Sequence, residues 1–120
     1  MDEAWFSGFA DELAQCLLDA ERSAEACEAL LETFQRRDDA ELQKVLVDAL
    51  VAPAAVARVL IELIDQPPNL VLAACRLCRE VASTAVEQLT ALGTRLESAN
   101  TIAALRASAA SCDHLLDSVA

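Results

Sequence analysis

The chain has 120 residues, a formal net charge of −11 and a hydrophobic fraction of 55%, with two Gly, three Pro and no Tyr. So Ala- and Leu-rich a chain, with so few turn residues, is predicted to be all-α and to form one domain over residues 1–120, long enough for a real core. The acidity excludes condensation on nucleic acid or an anionic membrane surface, and the longest apolar run, residues 49–57, is far too short to span a bilayer.

Met1-Asp2-Glu3 offers no basic signal-peptide region, so a cytoplasmic location is expected. Five cysteines are many for this length, but their number is odd and no loop-rich disulfide scaffold accompanies them. Reduced thiols are expected.

The first predicted helix fits a heptad, with Phe6, Leu13, Ala20, Cys27 and Phe34 in one set of positions and Phe9, Cys16, Ser23 and Leu30 in the other. Cys16 and Cys27 are eleven residues apart, close to a whole number of turns, so both thiols point the same way. Residues 1–35 carry nine carboxylates, Asp19 among them, against the single base Arg22, and these are expected to form a solvated outer face. Phe6 and Phe9 are expected to plug the bundle end, with Trp5 off the stripe. Arg36 to Glu41 should turn the chain, with Asp38 or Asp39 as N-cap.

The second helix is predicted along Leu42, Val45, Ala49, Ala52, Val56, Val59 and Leu63, with a kink at Pro53 or a break near Val51. Gln66-Pro67-Pro68-Asn69 is the clearest stop in the chain, with Asn69 as the next cap. The third helix follows Val71, Cys75, Cys78, Ala82, Ala85, Leu89 and Leu92, ending at Gly93 or continuing through Leu96. Asn100 is the expected cap of a fourth helix along Leu105, Ser108, Cys112, Leu115 and Val119. Four amphipathic helices with short links predict an antiparallel up-and-down four-helix bundle.

In that topology, with 1.5 Å of rise per residue, Cys16, Cys75, Cys78 and Cys112 all fall roughly 9–14 Å from one end of the bundle, with Cys27 about 16 Å further along. Four thiols from three helices in one dry layer suit a soft metal ion. Cu(I) is favoured over Zn(II), which wants four ligands closed into a tetrahedron. Packing of the cysteines as small hydrophobes is the competing reading.

The frame Cys16-xxx-Ala20-xx-Ser23-xxx-Cys27, the pair Cys75-xx-Cys78-xxx-Ala82, and the segments AERSAEACEALLE, RLCREVAST and ASCDHLLDSVA resemble the four-helix-bundle cysteine-rich copper-binding proteins, which include the copper storage proteins. The resemblance covers roughly residues 15–120. It implies Cu(I) bound along the bundle axis, homo-oligomers, and Cys16, Cys27, Cys75, Cys78 and Cys112 as the ligands that remain. Ala20, Ser23, Ala82 and Ser108 stand where the family has further cysteines, the second helix has none, and the family's histidines are missing. The capacity implied is therefore one small site.

Enzymatic activity is not expected. His114 is preceded three residues earlier by Ser111, not the Glu of a di-metal carboxylate motif, and it faces away from Cys112 on a helix, so His114 is predicted at the surface. A Gly-rich phosphate loop is excluded by the glycine count. The partners expected are a metal ion or a protein, including a second copy of the chain. If the cysteines are inert, the same bundle would be a metal-free interaction or scaffold module.

Overall fold

The computed structural model describes residues 3–35, 40–92 and 98–119, with the side chains of 3–7 left out. The described residues form four helices, α1 (Glu3–Gln35), α2 (Ala40–Glu62), α3 (Pro68–Leu92) and α4 (Ala99–Val119), with a 3₁₀ turn at Leu63–Asp65 after α2. Each helix packs along its chain neighbours, and α1 closes the ring against α4. The cross-helix pairs fix the directions. Asp19 and Ala26 of α1 meet Ser111 and Thr101 of α4, so residue numbers rise on α1 as they fall on α4, and Arg79 of α3 pairs with Asp113 of α4. The protein is an antiparallel, all-α four-helix bundle, as expected.

Ala, Leu and Glu favour the helical backbone, but the apolar stripes decide how the helices sit. On α1 the buried residues are Leu13, Cys16, Ala20, Ser23, Cys27, Leu30 and Phe34, which is the heptad read from the sequence, joined by Asp19 and Ala24. Phe9 is half-buried against the same core, at a non-helical backbone position (φ −131°, ψ 23°) that bends α1 just after Gly8. Trp5 and Phe6 lie outside the side chains described, as do the turn at 36–39 with its caps and the segment 93–97 with Gly93 and Leu96.

The stripe expected on α2 is corrected. Its buried face is Leu46, Ala49, Leu50, Pro53, Ala54, Ala57 and Leu60, while Val45 and Val59 are 42% and 48% exposed. Seen around the axis, α2 is apolar on nearly every side, so two stripes one residue apart are equally regular in the sequence. Packing against α1 and α3 selects the one carrying leucines. Nor does Pro53 break the helix at Val51: α2 runs unbroken to Glu62. Burial of the ring, beside the small Ala49 and Ala52, offsets the hydrogen bond that proline cannot donate.

Two expected caps also move. The Leu70 and Val71 amides donate to the Pro67 carbonyl, so α3 begins at Pro68 and Asn69 lies inside its first turn. Proline suits that first position because its missing N–H would have had no partner there. At α4 the Ile102 amide donates to the Ser98 carbonyl, which puts the buried Ser98 at the cap and Asn100 within the helix. α3 and α4 otherwise bury the predicted stripes with Ala74 and Thr101 added, except that Leu92 and Val119, near the helix ends, are only half-buried.

The core divides along the bundle. One cluster holds Leu13, Cys16, Ala20, Leu60, Val71, Cys75, Cys78, Cys112 and Leu115. The other holds Cys27, Leu30, Phe34, Leu46, Leu50, Leu89 and Leu105. Four of the five thiols therefore share one end of the core, and large apolar side chains fill the other.

Candidate metal centre

All five cysteines are buried and none is in a disulfide. Cys16 projects from the middle of α1. One turn of α3 brings Cys75 and Cys78 inward three residues apart, and α4 presents Cys112 on its way back to the same end of the bundle. The Cys16 Sγ is 3.5 Å from the Cys112 Sγ and 3.9 Å from the Cys75 Sγ. The three sulfurs all lie within 4.8 Å of one another. A metal ion with three sulfur bonds of about 2.3 Å in a plane sets the sulfurs about 4.0 Å apart, and a tetrahedral ion sets them about 3.8 Å apart. The triangle is close to either before any ion arrives.

Cys78 stands beside this triangle. Its Sγ lies 3.7 Å from the Ser108 hydroxyl. Cys16 is the vertex of the triangle, with Cys112 and Cys75 both within 4 Å of its sulfur. Cys27 is not brought to the group. It packs in the other core cluster, where burial, and then the neighbouring Glu28 charge, pushes its thiol up to about 12. His114 is exposed, as expected.

The clustered thiols share their protons unequally. Hydrogen bonds from Cys112 and then Cys16 hold the Cys75 thiol down to about 4, against the cost of burial and with help from the Arg76 charge. Cys112 is raised by its bonds to Cys16, Cys75 and Cys78 and by burial. On Cys16 the bond from Cys112 acts downward, but the bond to Cys75, burial and the Cys75 and Cys78 charges outweigh it, and its thiol is raised. Cys78 is lowered by Cys112, against burial and aided by Ser108. Protons are held most tightly at Cys16 and Cys112 and least at Cys75 and Cys78, in a dry, sulfur-rich pocket suited to a soft cation.

The sequence reading placed Asp19 with the solvated carboxylates, and that is corrected: Asp19 is only 7% exposed. Its Oδ2 accepts a hydrogen bond from Gln15 Nε2 (3.1 Å) and another from the Ser111 hydroxyl. Its position three residues after Cys16 was the available signal, since that places it on the edge of the thiol stripe. Ser108, expected on the core stripe where the family has a cysteine, supplies the hydroxyl that meets Cys78.

Fold and site together define a four-helix bundle whose core holds three cysteines close enough to bind a metal ion. The chain matches no protein-family model, no curated protein and no solved structure. The functional reading accordingly rests on the site itself.

Proposed function

We propose that the protein binds one Cu(I) ion through the thiolates of Cys16, Cys75 and Cys112, with capacity reduced relative to the cysteine-rich copper-binding proteins it resembles. The observation that carries this is the sulfur triangle, with sides of 3.5 and 3.9 Å at Cys16, inside a core from which water is excluded. Three soft, buried donors favour a monovalent soft ion, because Zn(II) would need a fourth ligand and would bring a second charge into the core. Cys78, turned toward Ser108, is the reserve donor that Zn(II) would recruit. Binding replaces the S–H protons of Cys16 and Cys112, so loading releases protons.

Copper K-edge absorption on the Cu(I)-loaded, reduced protein tests the reading. A shell of three sulfurs at about 2.3 Å supports it, and a shell dominated by nitrogen or oxygen overturns it. The metal-free interaction module draws support from a separate observation. Val45, Val47, Val51 and Val59 of α2 and Leu70 and Leu77 of α3 are all more than 40% exposed, so these two helices carry exposed apolar side chains.

A further inference from the structure

The sulfurs of the triangle have no exposure, so an ion reaching them must pass between helices. The contact between Asp19 and Ser111 lies across the α1–α4 seam at this level. Asp19 is one turn along α1 from Cys16, with Cβ atoms about 5–6 Å apart at that spacing, and Ser111 is the chain neighbour of Cys112. Both donors, Gln15 Nε2 and the Ser111 hydroxyl, go to Oδ2. Asp19 Oδ1 has no hydrogen-bond partner among the described residues, which leaves a carboxylate oxygen for an incoming cation. Its 7% exposure places it between solvent and the dry core.

We infer that Asp19 and Ser111 form a cation-selective gate over the cysteine cluster, in which the Ser111 hydroxyl latches the seam and the Asp19 carboxylate draws a cation through it. The substrate class is a small soft cation arriving from a donor ligand. The gate deepens the copper reading and rests on it for its biological use, but its opening and its charge preference are properties of the metal-free chain.

The two residues have opposite roles, and this separates a gate from a merely structural contact. Asp19→Asn keeps an oxygen that accepts from Ser111 but removes the charge. Ser111→Ala removes the latch and keeps the charge. The reduced, metal-free full chain is treated with thiosulfonate reagents of matched size, one carrying a trimethylammonium and one a sulfonate, and labelling of each cysteine is followed by peptide mass.

Expected for the natural chain is labelling of the cluster thiols, Cys75 first and Cys16 and Cys112 after it, about 10-fold faster by the cationic reagent than by the anionic one, after normalising to Cys27, a preference of the size local fields impose. Asp19→Asn should collapse that ratio toward one. Ser111→Ala should raise both rates by about 5-fold or more with the ratio kept, as expected for loss of one charge-assisted hydrogen bond. Cys27 should be unchanged throughout. A ratio that survives Asp19→Asn, or Cys27 labelling that rises in step with Cys16, overturns the gate.

Stopped-flow transfer of Cu(I) from a chromophoric chelator completes the test. Loading should slow in Asp19→Asn and quicken in Ser111→Ala, with equilibrium affinity within about 3-fold of the natural chain, a shift of about 0.7 kcal/mol or less. If the natural chain takes up no Cu(I) while the labelling pattern holds, the copper reading fails and the gate stands. If Cu(I) binds and the pattern is absent, the gate fails alone.

Discussion

Cys16 of α1 and Cys112 of α4, ninety-six residues apart in the chain, bring their sulfurs to 3.5 Å in the core. The Cys16 sulfur also lies 3.9 Å from that of Cys75, and all three sulfurs fall within 4.8 Å of one another. The arrangement depends on α4 returning antiparallel to α1. Thr101 against Ala26 and Ser111 against Asp19 hold that register.

Cys112→Ala should remove one corner of the sulfur triangle with little change in volume. Cu(I) affinity is expected to fall by more than about 100-fold, since loss of a ligand costs more than the 10- to 100-fold usual for a ligand's hydrogen-bond partner. Cys27→Ala, in the other core cluster, should leave affinity and stoichiometry unchanged. Competition with a Cu(I) chelator reads both variants. Equal effects from the two would contradict the assignment of the site.

Alkaline pH should weaken the metal-free protein, and Cys27 accounts for a separable part. Burial holds its folded value near 12 against 9.0 when unfolded. The unfolded chain therefore releases this proton first. The stabilisation is intact below pH 9 and is lost as pH rises toward 12, at about 1.4 kcal/mol per pH unit. Cys16 and Cys112 shift in the same direction but are common to the natural chain and to Cys27→Ala, so they cancel in the comparison. Between pH 8 and 10.5 the natural chain should lose about 2 kcal/mol more than Cys27→Ala in denaturant titrations. Parallel losses would show that Cys27 ionises freely in the folded state.

The face that α2 buries can be tested with neighbouring residues. Leu60 has no exposure and Val59 is 48% exposed. Leu60→Ala should cost about 2–5 kcal/mol of unfolding free energy, and Val59→Ala should stay within about 0.5 kcal/mol. The reverse order would restore the stripe through Val45, Val59 and Leu63.

These residues also show how far the sequence carries. On α1, α3 and α4, charged and polar residues interrupt the apolar ones at helical spacing, so the buried stripes are legible down to single residues such as Ser23, Ala85 and Ser108. On α2, Val, Ala and Leu occupy nearly every side, and only the neighbouring helices decide between Leu46 and Val45. Rise per residue was enough to set Cys16, Cys75, Cys78 and Cys112 at one height and Cys27 at another. It carries no information about which way a thiol turns. Cys78 reaches toward Ser108, and the close triangle is made by the other three. Spacing from Cys16 put Asp19 at the edge of the stripe but could not show it buried, since a carboxylate there is buried only if the facing helix supplies a donor. Ser111 does so.

The central claim is that the sulfurs of Cys16, Cys75 and Cys112 hold a metal ion, and anaerobic Cu(I) titration of the reduced full chain against a chromophoric Cu(I) chelator tests it most directly. Thiols are counted in parallel. The account predicts withdrawal of one ion per chain from the chelator, with a sharp end point. No withdrawal by a chain with all five thiols reduced would contradict it, and the cluster would then be a packing device of the bundle core.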